Sequence, residues 1–105
     1  MARYVQLVMV NAREGQDDDL NRWLDEDHIP ELVEMAGYVT CHRFELAPEE
    51  AGNPMSPRRY MHLYEFETDD LVATKARIDA QRHRLTPLPD ALDQRDMFYA
   101  YYKAR

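Results

Sequence analysis

The chain has 105 residues and a formal net charge of −7, from 13 Lys plus Arg against 20 Asp plus Glu. This length predicts one domain, residues 1–105, around a single core. The acidic balance argues against nucleic acid and against an anionic membrane as partners. The one cysteine, Cys41, allows no disulfide framework within the chain and suits a reducing compartment. No basic segment precedes an apolar one at the N-terminus, and no apolar run approaches the ~20 residues that span a bilayer. A cytoplasmic location is expected.

Residues Arg3 to Asn11 are rich in β-branched and aromatic side chains and read as a strand. A turn at Arg13-Glu14-Gly15 follows, and Asp17-Asp18-Asp19 then places acid at a helix start, where the dipole favours it. The stretch Leu20 to Ala36 is helical but has two apolar stripes. Leu20, Trp23 and Leu24 share one face, whereas Ile29, Leu32, Val33 and Ala36 would lie on the opposite face of a straight helix. Pro30 cannot donate to the Glu26 carbonyl and disfavours α geometry at Ile29. A break at Asp27-His28-Ile29 is therefore expected, with Pro30 opening a second helical segment that Gly37 ends.

Tyr38 to Leu46 reads as the second strand, and Ala47 to Pro57, with three prolines and a glycine, as a loop. Arg59 to Glu67 is the third strand, and Thr68-Asp69-Asp70 caps a second helix running to about Ala80, with Leu71, Ala76 and Ile78 available for packing. Met97 to Lys103 is the last strand, after an irregular stretch with one short helical turn at Asp90 to Gln94. The order β-α-β-β-α-β is the ferredoxin-like α+β pattern: a four-stranded antiparallel sheet with both helices on one face. The first and last strands are apolar on both sides. Their second layer is expected to be another copy of the chain, giving a homodimer with facing sheets.

Trp23, His28, Pro30 and Gly37-Tyr38 form W-x4-H-x-P-x6-G-[FY], followed by a strand ending in Arg43-Phe44 and by a third strand of the form YxxLYEFE. In these residues the chain resembles the EthD-like branch of the dimeric α+β barrel superfamily. That superfamily includes cofactor-free monooxygenases, muconolactone isomerases, polyketide cyclases, chlorite dismutases and haem-degrading enzymes. The resemblance implies a pocket between helices and sheet, lined by the first helix. The Asn, Trp and His arrangement of the haem degraders is missing, since the only tryptophan lies on the first helix. No cofactor is expected.

Four histidines are the sharpest polar signals. If the hairpin between the second and third strands closes symmetrically around residue 52, His42 and His62 oppose each other on one sheet face, near Tyr38, Phe44, Tyr60 and Tyr64. His28 would reach the same region from the helix. Imidazoles and phenols between aromatic walls suit proton transfer on a flat, largely apolar molecule. The candidate catalytic residues are therefore His28, His62, His42 and Tyr64, and the candidate substrate-binding residues Trp23, Tyr38, Tyr60, Arg43 and Phe44.

Each has a plainer role beside it. His28 could cap the second helical segment, and His42 and His62 could be a buried cross-strand pair. Arg43 could pair with Glu45 and Glu65, and Tyr99, Tyr101 and Tyr102 could supply interface area. No H-x-H or H-x3-H spacing supports a metal, and none is assigned. The expected function is a small cofactor-independent isomerase, lyase, cyclase or monooxygenase that uses histidine acid–base chemistry on an aromatic or cyclic carbonyl compound. The alternative is a non-catalytic small-molecule-binding or accessory protein on the same scaffold.

Overall fold

The computed structural model describes residues 1–38, 40–55 and 58–105. Val39 of the expected second strand, and Ser56 and Pro57 of the expected loop, lie outside the described residues. The elements run β1 (Ala2–Val10), α1 (Asp17–Trp23), a π-helical turn (Leu24–His28), α2 (Ile29–Ala36), β2 (Thr40–Glu45), β3 (Tyr60–Thr68), α3 (Leu71–Gln81) and β4 (Phe98–Lys103). The sheet order is β2-β3-β1-β4 and every pairing is antiparallel, which is the ferredoxin-like α+β architecture.

Strand alternation fixes two faces. Gln6, Val10, Tyr60, His62, Tyr64 and Phe66 are buried beneath the helices. The registers Val5↔Tyr102, Leu7↔Ala100, Met9↔Phe98 and Leu7↔Leu63 assemble an apolar surface on the other face. Two clusters form the core. Leu20, Trp23, Leu24, Val10, Tyr60, Ala91 and Leu92 pack at one end, and Leu32, Tyr38, Tyr64, Phe66 and Ile78 at the other.

The long helix does not break. Ile29 has ordinary helical torsions, φ −66° and ψ −47°, and its N–H donates to the Leu24 carbonyl five residues back. The expected interruption is thus a wide turn without unwound residues. It holds one residue more than an α-turn, which advances the apolar stripe by one position and brings Ile29, Leu32 and Val33 onto the face that Leu20, Trp23 and Leu24 begin. It also accommodates Pro30, which has no N–H to give and whose ring would crowd the Glu26 carbonyl in a regular turn. Gly37 ends α2 at φ +73°, a backbone region that side chains disfavour.

Asp70 caps α3 by accepting the Ala73 N–H at 3.0 Å. The residues that α3 buries are Thr74 and Ile78, whereas Ala76, expected to pack, is exposed. The segment after α3 is held to the end of β1 by a bridge between Ala12 and Leu92 and by the Arg13 N–H on the Ala91 carbonyl, 2.8 Å. The helical turn expected at Asp90 to Gln94 is replaced by these bridging turns. Among the described residues no helix is long and apolar enough to cross a membrane.

Candidate functional site

A cavity of about 390 Å³ lies between the helices and the buried sheet face. Its walls bring together five of the predicted residues: His28, His62, Tyr64, Trp23 and Tyr38. The π-turn places the first pair. Residues five apart stand about 140° apart on a regular α-helix. The wider turn closes that angle, and the Trp23 and His28 rings stack with centroids 4.4 Å apart and planes 19° apart. His62 enters from β3, 1% exposed, with its ring edge-on to Tyr64 at 6.4 Å.

Three polar atoms in this wall, Trp23 Nε1, His28 Nδ1 and His62 Nε2, are buried without a hydrogen-bond partner among the described residues. A buried polar group left unpaired is costly, and each such group calls for an explanation. Burial holds both imidazoles neutral. It lowers His28 to about 4, with Arg82 adding to the effect and Glu31 opposing it. It lowers His62 to about 4 as well, with Arg43 and His28 adding and Asp25 opposing. The phenols are already engaged. Tyr38 donates to Gln6 Oε1 at 2.7 Å, and Tyr64 interacts with the Cys41 thiol. Burial pushes both phenols well above the usual tyrosine range and raises Cys41 to about 11.

The remaining predicted residues stand elsewhere. The register pairs Arg43 with His62 and His42 with Leu63, one residue away from the symmetric hairpin. A one-residue shift exchanges sheet faces. His42 and Phe44 therefore lie exposed on the outer face, and His42 does not oppose His62. Arg43 is on the inner side, but it binds Asp25 Oδ1 at 2.7 Å and Asn21 Oδ1, tying β2 to the first helix rather than pairing with Glu45 or Glu65. Tyr60 donates to Asp17 Oδ2 at 2.6 Å and packs in the core beneath Leu20. Among the described residues no three His, Cys, Asp or Glu side chains gather as a metal site.

Several wall residues were not singled out from sequence. Gln6 is the one polar residue between Tyr4 and Val10 of an otherwise apolar run, and its alternation with Tyr4 and Val8 was the available signal. Tyr101, expected at an interface, faces the cavity beside Tyr38. Lys75, Asp79 and Arg82 reach the cavity from α3 and its end. Their spacing along the helix puts them on one side, but nothing local reveals that this side meets a cavity.

No family model matches the chain, and no curated protein matches it. Among solved structures, the chain is similar to an ethyl tert-butyl ether d (EthD) family protein from Bacillus halodurans. The two align over 100% of each chain with a TM-score of 0.50 and 10% sequence identity. At this identity the likeness concerns the fold alone, and the chain has an EthD-like fold.

Proposed function

We propose that this chain, built on an EthD-like fold, binds a flat cyclic or aromatic carbonyl compound between its helices and sheet and moves a proton on it, without a cofactor. One observation carries the reading: His28 Nδ1 and His62 Nε2 are both buried and both without a hydrogen-bond partner among the described residues, and both histidines line the wall of one cavity. A neutral imidazole with a free lone pair accepts a proton from carbon α to a carbonyl, and the electron pair moves onto the carbonyl oxygen. The Trp23 indole N–H, the third unpartnered atom, is a donor suited to that developing oxyanion. His28 is the principal base, with His62 and Tyr64 in support.

The weak basicity of the two imidazoles sets the kind of substrate. A base lowered to about 4 matches an already acidified C–H, as in a 1,3-dicarbonyl or a ring that becomes aromatic on enolisation. The same weakness favours a second reading, binding without chemistry.

The apolar outer face of β1, β3 and β4 supports a homodimer with facing sheets, each copy covering the other's Val5, Leu7, Met9 and Leu63.

Hydrogen–deuterium exchange tests the chemistry without knowledge of the natural substrate. A panel of cyclic 1,3-diketones and 2-tetralones in deuterated buffer is expected to exchange α-protons faster with the protein than without it. His28→Gln should reduce this by roughly 100-fold or more, the usual range of a general base. If His28→Gln exchanges as fast as the parent chain, the acid–base role is wrong. Binding of the panel without any exchange selects the second reading.

A further inference from the structure

The cavity wall is charged on one side. Apart from His28 and His62, which burial keeps neutral, its described charged residues are Lys75, Asp79 and Arg82, all from α3 and the turn that ends it. Arg82 Nε holds Asp79 Oδ1 at 2.9 Å, so the only carboxylate among the described residues of the wall is already paired. Lys75 has no carboxylate partner among the described residues. Its ammonium lies 5.1 Å from the centroid of the Tyr101 ring, a cation–π contact on a side chain that also lines the cavity. The Arg82 field reaches inward: it opposes the burial that raises Tyr38 and Tyr101 and adds to the burial that lowers His28.

A chain of net charge −7 repels anions at long range, so two cations at one cavity wall are a local departure from its surface. Their positions divide the cavity into a charged end at α3 and a neutral end at Trp23, His28 and His62.

We propose that the ligand is a cyclic or aromatic monocarboxylate, its carboxylate held between Lys75 and Arg82 above Tyr101 and its ring reaching toward His28 and His62. A carboxylate accepts from the Lys75 ammonium and from the terminal guanidinium nitrogens of Arg82, which keeps its Nε on Asp79. The charged end then fixes which carbon faces the imidazoles, and the neutral end receives the uncharged part of the molecule. The inference rests on the reading of this cavity as the ligand site, but it concerns binding and not proton transfer.

Benzoate and benzamide, equal in shape and different in charge, are the probes. Titrations followed by calorimetry and by emission of Trp23, the chain's single tryptophan on the cavity wall, report affinity. Benzoate is expected to bind about tenfold more tightly than benzamide, the modest effect suited to solvent-accessible cations. Lys75→Gln with Arg82→Gln should remove this preference, Lys75→Arg should keep most of it, and Asp79→Asn should tighten benzoate. Equal affinities, a preference that survives the double substitution, or no binding of either probe at millimolar concentration would overturn the proposal. His28→Gln separates it from the catalytic reading: that variant is expected to lose exchange activity and keep the preference for benzoate. Lost exchange with no charge preference refutes the carboxylate alone, and retained exchange with the preference intact refutes only the base.

Discussion

His28 and His62 are the residues at which burial meets the proposed chemistry. A histidine free in the unfolded chain titrates near 6.5, whereas both of these are lowered to about 4 in the folded state. Between those values the unfolded chain binds more protons, so stability rises with pH and is lost as pH falls from 6.5 toward 4. Each histidine contributes roughly 3 kcal/mol to that loss at the lower end. Urea unfolding at pH 7 and at pH 4.5 should show it, with His28→Gln giving a shallower dependence. Because His28 stacks on the only tryptophan, Trp23 emission should titrate with a midpoint near 4. A midpoint near 6.5 would mean that the ring is solvated. Composition could not supply this pair. His28 was legible because Pro30 and the shifted stripe mark it, but four histidines look alike in sequence, and only the strand register tells His62 from His42.

At the scale of elements, the first helix carries the most information. Its reversed apolar stripe and its proline signalled an irregularity at the right residues, and the structure resolves it as one extra residue in a turn rather than as a break. Periodicity detects such a phase change, but it does not distinguish unwinding from an inserted residue, since both shift the stripe. The hairpin was harder to read. Its long connection gives no turn geometry to count from, and an error of one residue moved His42 and Phe44 to the wrong face. The link between Pro30 and the wide turn can be measured. Deleting the exposed Glu26 should leave a regular α-turn with the same apolar face but force Pro30 against a carbonyl, costing about 3 kcal/mol. Pro30→Ala in the same deletion should restore most of that loss, whereas Pro30→Ala alone should change stability little. Additive effects in this cycle would show that the turn is not there on account of the proline.

For the whole molecule, element order alone was enough to indicate the architecture, because β-α-β-β-α-β leaves few ways to form one sheet. The outer sheet face is the feature to test at this scale. If two copies pack there, Leu7→Lys should give a monomer by light scattering, since Leu7 stands centrally, opposite Leu63 and Ala100. A parent chain that is already monomeric at micromolar concentration would remove the facing-sheet dimer. The cavity was less legible than the sheet. Its walls draw on β1, the first helix, β3, α3 and β4, which meet only through the tertiary fold.

The pairing of β1 with both β3 and β4 has a consequence for how the chain folds. Tyr4 lies opposite Lys103, so this contact closes a loop of almost the whole chain. Such distant pairings are entropically demanding and slow folding compared with helical proteins of equal size. During synthesis β1 emerges early, can pair with β3 once that strand is made, and then keeps an open edge until β4 arrives. Tyr99 and Tyr101, which close one side of the cavity, arrive with that last strand. A half-made chain therefore has no complete cavity, and stabilisation by a ligand of the kind proposed would act only on chains whose final strand is in place.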